Sequence, residues 1–393
     1  MQLSSINLPN YLIRLGLCPP ENQNQLIIKP VAAKNFNLLV TLPDGKKLLV
    51  KQERYNQDGK TAGEFGQEWR IQEFLQHFPE LTTLNPYLPK VLHFDPGESI
   101  IIFRYLDEYR DLMEFYIEET IFPPAIAASI GTTLAVIHRA TFNRDDYQHF
   151  FSQQSHSLPE TVPNLISGLE RITPDTFGLV PVDGLKFFAL YQRYDSLGDA
   201  IAQLGKTFTP SCLTHNDLKL NNILLSNHWE QSRDRRVRFI DWERSHWGDP
   251  AFDVGTLIAS YIQIWLNSLV ISNALSLEES LRLATTPLDH LQPSIASLTQ
   301  AYFHNFPEIL THRPTLLLQI IQFAGLALIQ QIQAIIQYQK SFGNSGIAML
   351  QVAKTLLCRP QQSIPTLFGT MTPDLIPPNP SHNSPETLCA PLR

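Results

Sequence analysis

Two short segments hold the residues of this 393-residue chain whose types and spacing could do chemistry together. Asp217 and Asn222 lie in the first segment, and Asp241 ends an apolar run in the second. Mg²⁺ takes carboxylate and amide oxygens as ligands and keeps water or phosphate oxygens for its other positions. A carboxylate left free of metal can accept the proton of a reacting hydroxyl. These residue types predict phosphoryl transfer from a nucleotide, in which catalysis consists mainly of positioning and charge neutralisation.

The chemistry suggests one role for each of the three side chains. Asp217 is the candidate general base, and Asn222 and Asp241 are the candidate magnesium ligands. Taken singly, each has an ordinary alternative, because Asp and Asn are favoured in turns and caps for their local hydrogen bonds. The catalytic interpretation is favoured because the two segments lie at hairpin distance from each other in the sequence.

Short apolar runs must position these residues. Residues 211–214 are predicted to form a strand that enters the loop, and residues 222–225 a strand that leaves it. Residues 237–240 are the returning strand of a hairpin, after the polar stretch 226–236. Such a hairpin would bring Asn222 and Asp241 to the same open end, as one shared ion requires.

The same two segments resemble those of a known family. Residues 215–224 (HNDLKLNNIL) resemble the catalytic loop of the aminoglycoside phosphotransferase and choline kinase families. Residues 240–253 (IDWERSHWGDPAFD) resemble the metal-binding segment of the aminoglycoside phosphotransferases. The resemblance implies a protein-kinase-like fold, ATP or GTP with Mg²⁺ as cofactors, and the roles given above to Asp217, Asn222 and Asp241. It also implies Asp253 as a buried anchor of the loop and His215 as a structural residue.

An upstream segment supplies a lysine for the phosphates. Residues 37–42 and 47–52 are apolar runs joined by a Pro-Asp-Gly-Lys turn, which predicts a hairpin. Lys51 in the second run is the candidate phosphate ligand, and an exposed strand lysine is the alternative. Residues 64–78 have helical periodicity. Glu68 on this helix is the candidate partner that would hold Lys51 toward the phosphates, and Glu64 is the second choice.

Two further strands, 90–95 and 99–105, complete an expected small lobe. In the resembled fold the segment that begins at Tyr105 is the hinge whose backbone meets the adenine. Leu49 and Leu224 would then enclose the base, although both are equally well explained as core leucines.

The expected fold class is α+β. It is a bilobal protein-kinase-like fold, with a small antiparallel sheet lobe that carries one helix and a larger, mainly helical lobe. The expected boundaries are a helical extension over 1–21, a nucleotide-binding lobe over 22–106, a helical lobe with the catalytic loop and acceptor site over 107–371, and a disordered tail over 372–393. Within this plan, residues 8–17 and 185–204 are each predicted to form one helix.

Two features leave the acceptor open. The turn between the first two strands, residues 30–36 (PVAAKNF), lacks the Gly-x-Gly-x-x-Gly pattern of protein kinases. Lys219, by contrast, resembles the lysine that steadies the transferred phosphate in Ser/Thr kinases, and some small-molecule phosphotransferases carry it too. Three functions remain: a kinase for a small-molecule hydroxyl such as an amino sugar or amino alcohol, a Ser/Thr kinase for a peptide or protein, and a nucleotide-binding pseudokinase.

Composition narrows the class of protein. A net charge of -7 argues against a nucleic-acid surface and is compatible with a cationic acceptor. Four scattered cysteines indicate neither a disulfide framework nor a zinc site. The chain shows no signal-peptide pattern, so a cytoplasmic location is expected. Residues 316–336 are the most apolar stretch, but glutamines interrupt it, which favours a buried helix over a membrane span.

Overall fold

The chain folds into a small lobe built on a sheet and a large helical lobe, as expected from the sequence. The structure, a computed structural model, describes residues 2–56, 58–153, 162–170, 182–232, 236–270, 275 and 277–370. The tail predicted over 372–393 lies outside the described residues.

The small lobe is a five-stranded antiparallel sheet in the order β1-β2-β3-β5-β4. Helix α2 connects β3 to β4, and helix α1 precedes the sheet. The predicted runs match these elements to within one or two residues at most ends, and the N-terminal helix is three residues shorter than expected. The bounds are Leu8–Arg14 for α1, Ile27–Val31 for β1, Phe36–Thr41 for β2, Lys47–Gln52 for β3, Glu64–His77 for α2, Val91–Asp95 for β4 and Ile100–Arg104 for β5.

The two faces of this sheet have different neighbours because side chains alternate along a strand. On β3, Leu48 and Val50 are buried in a cluster that also contains Leu8 and Leu12 of α1. This packing attaches the N-terminal helix to the small lobe. Lys51 has the opposite direction along the same strand, so it faces away from α1.

Two small sheets carry the catalytic segments. One has the order β6-β8-β9, with bounds Tyr109–Asp111, Ile223–Ser226 and Val237–Phe239, and in the other β7 (Cys212–Thr214) pairs with β10 (His246–Gly248). The predicted hairpin of β8 and β9 is confirmed. Strands β6 and β10 were not predicted.

The described part of the large lobe is mainly helical. Helices α3 to α15 run in chain order over Leu112–Glu119, Pro124–Thr141, Asp145–Ser152, Val162–Glu170, Val182–Tyr191, Asp195–Thr207, Pro250–Asn267, Leu277–Arg282, Leu288–Asn305, Glu308–His312, Leu316–Gln339, Asn344–Cys358 and Pro360–Phe368.

The prediction of a single helix over 185–204 is wrong, because the chain turns between α7 and α8. Tyr194 leaves the helical conformation, with φ -116° and ψ 81°. The backbone N–H of Arg193 and that of Tyr194 donate to carbonyls three residues earlier, at Leu190 and Tyr191. The apolar periodicity continues across this turn, so the sequence pattern does not reveal it.

Helix α13 (Leu316–Gln339) is the core helix of the large lobe. By length and composition it could cross a membrane, but 67% of its most apolar window is buried inside the protein. Neighbouring helices approach it closely at Gly255 of α9, where an added Cβ would lie 2.7 Å from Cβ of Phe323. The buried helix expected from the sequence is therefore confirmed.

Candidate active site

The catalytic loop, residues 215–222, is fixed at its start by a buried carboxylate. Asp253, in the first turn of α9, is fully buried. Its Oδ2 accepts a hydrogen bond from the backbone N–H of His215 at 2.7 Å, and its Oδ1 accepts one from Asn216 at 2.8 Å. Asn216 has the left-handed φ of 62° that directs both amides toward the same side chain. Asp253 is thus the buried anchor that the family resemblance implied.

A histidine and a tyrosine in turn hold Asp253 in place. His138 on α4 is fully buried, with Nε2 3.2 Å from Asp253 Oδ2 and Nδ1 3.0 Å from the Tyr302 hydroxyl. An ionised carboxylate can only accept, so Nε2–H of His138 donates to Asp253. Although burial opposes ionisation, the hydrogen bond and charge of His138 lower the pKa of Asp253 below its ordinary value. We call His138, Tyr302, Asp253 and the two backbone amides the loop anchor.

Sequence reasoning missed both His138 and Tyr302. Each lies on an apolar helix, outside the recognisable motifs. Their contacts join residues 115 and 164 positions apart, so no local pattern reveals them.

His215 has the structural role expected of it. Its Nε2–H donates to the carbonyl of Ile240 at 2.8 Å, and its ring packs against Trp242 with a centroid separation of 4.7 Å. Its Nδ1 accepts a long 3.4 Å hydrogen bond from the backbone N–H of Asp217. With both ring nitrogens engaged, His215 joins the catalytic loop to the segment that carries Asp241.

Asp217, Lys219 and Asn222 are brought together within the loop. Lys219 Nζ lies 2.6 Å from Asp217 Oδ1. The Asn222 amide nitrogen donates to the Asp217 carbonyl at 2.7 Å and lies 3.5 Å from Asp217 Oδ2. Because the amide nitrogen is engaged there, Oδ1 is the Asn222 atom left for a metal, and it also accepts a 3.3 Å hydrogen bond from Asn221.

The hairpin places Asn222 and Asp241 at the same end. Ile223 pairs with Phe239, and the backbone N–H of Ile240 donates to the Asn222 carbonyl at 2.9 Å. Asp241 follows with a left-handed φ of 60°, which ends the strand. The predicted hairpin therefore brings Asn222 and Asp241 to the same end, and their metal-binding roles stay a prediction.

Across the cleft, Lys51 pairs with a different carboxylate from the one predicted. Its Nζ lies 2.6 Å from Asp241 Oδ1, and no ion pair joins it to Glu68 among the described residues. Asp241 keeps 35% of its side-chain surface exposed, whereas Glu68 is 1% exposed. Ionising the more buried carboxylate is costlier, so the ammonium pairs with the better solvated one.

Burial controls the ionisation of this region. It raises the pKa of Glu68 to about 8, against a lowering by Lys51 and a weaker one by the backbone N–H of Trp242. Among the described residues, neither carboxylate oxygen of Glu68 has a partner with full hydrogen-bond geometry. Burial and the charge of Glu64 raise the pKa of Glu243 to about 7. The Lys51 ammonium lowers the pKa of Asp241 in spite of burial. We call Lys51, Glu68, Asp241 and Glu243 the cleft charge cluster.

The predicted adenine-site residues are Leu49, Leu224 and Tyr105. Leu49 and Leu224 are only partly buried, while their strand neighbours Leu48 and Leu225 are fully buried. This pattern is compatible with a cleft lining and leaves their role a prediction. The backbone N–H of Tyr105 already donates to the Lys47 carbonyl at 2.9 Å. A contact from Tyr105 to adenine would therefore use its carbonyl oxygen.

The donor set at the hairpin end fits Mg²⁺. Asn222 and Asp241 offer one amide and one carboxylate group with hard oxygen donors, and Mg²⁺ in nucleotide sites commonly takes only one or two protein side chains. The described residues contain no group of three or more His, Cys, Asp or Glu that could hold a metal alone. A site completed by phosphate oxygens agrees with both observations.

Comparison with known proteins adds a family match to this geometry. The family described as "Phosphotransferase enzyme family" matches residues 29–275, a span that includes Lys51, Asp217 and Asp241. No curated protein matches the chain.

Three solved structures are similar to the chain. Choline kinase LicA from Streptococcus pneumoniae is 18% identical, covers 89% of this chain and 97% of its own, and has a TM-score of 0.42. A choline/ethanolamine kinase family protein from Mesorhizobium loti is 14% identical, covers 94% and 98%, and has a TM-score of 0.48. APH(2")-IIa, in a ternary complex with streptomycin and ATP, is 16% identical, covers 91% and 99%, and has a TM-score of 0.49. At these values the similarities carry no argument about activity.

Proposed function

The chain belongs to the phosphotransferase enzyme family, and from that premise we propose that it transfers the γ-phosphate of ATP or GTP to a hydroxyl group of a small molecule. The observation that carries the proposal is the anchored catalytic loop. The loop anchor fixes the backbone just before Asp217, and the loop gathers Asp217, Lys219 and Asn222 beside the strand end that carries Asp241.

Asp217 acts as the general base in this proposal. One of its carboxylate oxygens, Oδ1, contacts Lys219, and in the described part of the chain Oδ2 has only the 3.5 Å approach of Asn222. Oδ2 is thus the atom for the acceptor hydroxyl, whose proton it takes as the bond to phosphorus forms. Lys219 carries a positive charge, so it can turn from Asp217 to the transferred phosphate and neutralise charge there.

Lys51, Asn222 and Asp241 receive the phosphates. Asn222 and Asp241 would hold Mg²⁺, which supplies charge neutralisation on the phosphate oxygens when bound. Lys51 leaves Asp241 to bind phosphate, and Glu68 is the nearby carboxylate that can then take the ammonium. Leu49, Leu224 and the carbonyl of Tyr105 are the proposed contacts to the base.

Acceptor specificity is proposed at the level of chemical class. The net charge of -7 favours the approach of cations, so amino alcohols and amino sugars are the first acceptors to test. Shared catalytic residues do not select the acceptor, because specificity depends on the shape of its pocket.

The test is transfer from labelled ATP or GTP to a panel of acceptors. The panel holds amino alcohols, amino sugars and Ser/Thr peptides, and the label is followed into each acceptor in the presence of Mg²⁺. Label on a small-molecule hydroxyl supports the proposal. Label on peptides alone would make the chain a Ser/Thr kinase, and stoichiometric nucleotide binding without transfer to any acceptor would make it a pseudokinase.

A further inference from the structure

The turn between β1 and β2 holds a lysine at the place where protein kinases have their glycine-rich loop. Lys34 Nζ lies 2.5 Å from Glu64 Oε1, at the first residue of α2. The Lys34 side chain is 62% exposed and that of Glu64 19% exposed. The turn is therefore attached to the small-lobe helix by one ion pair near the surface.

This ion pair lies at the edge of the cleft charge cluster. Glu64 and Glu68 are four residues apart on α2, so they share a helix face with their Cβ atoms about 5–6 Å apart. Although burial opposes it, the hydrogen bond and charge of Glu64 raise the pKa of Lys34. The Lys34 ammonium therefore contacts a carboxylate one helical turn from Glu68 of the cleft charge cluster.

The backbone of this turn is poorly suited to bind phosphate. Glycine-rich loops let backbone N–H groups approach phosphate oxygens closely. In this chain the corresponding positions include Ala32 and Ala33, whose Cβ atoms keep a ligand farther from the backbone. A lysine reaches across such a gap, because its ammonium is carried on a flexible four-carbon stem.

The contact that now holds Lys34 is easily exchanged. Exposed ion pairs contribute little to stability, since water solvates both charges and holding two long side chains costs entropy. A triphosphate carries more negative charge than one carboxylate and offers several oxygens to an ammonium group. A nucleotide in the cleft therefore competes successfully with Glu64 for Lys34.

We propose that Lys34 is a second phosphate-binding lysine, which leaves Glu64 and closes the β1–β2 turn over the triphosphate when a nucleotide binds. The inference rests on the proposed function, since it requires a nucleotide in this cleft. It assigns Glu64 the role of holding the turn in place until the nucleotide arrives.

The test compares equilibrium binding of Mg²⁺·ATP and of adenosine by the full chain and its variants. Lys34→Gln is expected to weaken ATP binding about tenfold and to leave adenosine binding unchanged, because only the phosphates lose a charged contact. Glu64→Gln is expected to tighten ATP binding about two- to threefold, because Lys34 no longer has to leave a charged partner. Lys29→Gln, which removes an exposed lysine of β1, is the matched control and is expected to change neither ligand.

Each other outcome has a separate meaning. ATP binding by Lys34→Gln at the wild-type level would overturn the inference, and so would an equal loss for ATP and adenosine, which would indicate a structural role. Failure of the wild-type chain to bind ATP or GTP would instead overturn the proposed function.

Discussion

The two sides of the cleft differ in how fully their buried polar groups are partnered. In the loop anchor, Asp253 accepts three hydrogen bonds, and both ring nitrogens of His138 are engaged. In the cleft charge cluster, neither oxygen of the buried Glu68 has a partner with full hydrogen-bond geometry among the described residues. Lys51 there is paired with Asp241, the residue proposed to bind metal.

The difference indicates that the loop anchor has its final arrangement without a ligand, whereas the cleft charge cluster changes its contacts. A fully satisfied buried network is rigid and specifies one arrangement. A buried carboxylate without partners costs free energy until a cation or donor reaches it. We infer that the loop carrying Asp217 is preformed and that nucleotide binding rearranges the Lys51 side of the cleft.

Removing the anchor carboxylate should give the largest effect. Asp253→Ala leaves two loop amides and His138 without their acceptor, so the free energy of unfolding should fall by about 3–5 kcal/mol. Chemical denaturation measures this change, and kcat should also fall at a temperature where the variant remains folded.

Asp249 provides a matched control for that experiment. It is equally buried and forms an ion pair with Arg313 at 2.6 Å. Among the described residues, its side-chain hydrogen bonds go to Thr209, Ala251 and Arg313 and not to the catalytic loop. Asp249→Ala should lose comparable stability, but the folded fraction should keep its kcat. Equal losses of kcat in the two variants would show that Asp253 has no special link to the loop.

Removing the carboxylate of Asp241, which pairs with Lys51 and is proposed to bind Mg²⁺, should give the next largest effect. Asp241→Asn should weaken nucleotide binding in the presence of Mg²⁺ by about 100-fold, because a metal ligand is lost. Without Mg²⁺ the variant should bind nucleotide as well as the wild type does, since removing the Asp241 charge leaves Lys51 free to bind phosphate. Titration of the same preparation with and without EDTA makes the comparison. An equal loss under both conditions would argue against Asp241 as a metal ligand.

A change at Glu68 should have the smallest effect, and it should stabilise the fold instead of destabilising it. The pKa of Glu68 is raised from 4.5 to about 8, so between these values the folded chain holds a proton that the unfolded chain has released. Stability should therefore fall as pH rises through this window. Glu68→Gln should remove this dependence and raise the free energy of unfolding by about 1 kcal/mol at pH 8.

The control for Glu68 lies on the same helix. Glu73 is exposed, so Glu73→Gln should leave the pH profile of unfolding unchanged. Thermal melts from pH 5 to pH 8 follow all three proteins. A Glu68→Gln variant that is less stable than the wild type at pH 8 would show that the Glu68 carboxylate has a stabilising partner. That result would contradict the difference drawn between the two regions.

Much of the site could be predicted because its information is local. Apolar runs on either side of a polar connection define the hairpin that joins Asn222 to Asp241. The small-lobe strands and the helix that carries Glu68 follow from the same periodic patterns.

The rest depends on contacts between distant parts of the chain. His138 supports Asp253 from 115 positions away, and no spacing rule encodes that pair. The choice of Asp241 over Glu68 by Lys51 follows from the relative burial of two carboxylates, which exists only after folding. The turn at Tyr194 interrupts an apolar pattern that continues on both sides of it.

The most direct test of the account is the Asp217→Asn variant. Nucleotide binding and phosphoryl transfer to the best acceptor are measured on the same preparation, with Asp289→Asn, an exposed aspartate, as the control. The account predicts nucleotide affinity within a factor of about two of the wild type, and transfer at least about 10²- to 10⁴-fold slower, because the base is lost while the preformed loop remains. Transfer by Asp217→Asn at the rate of the wild type and of the control would contradict it.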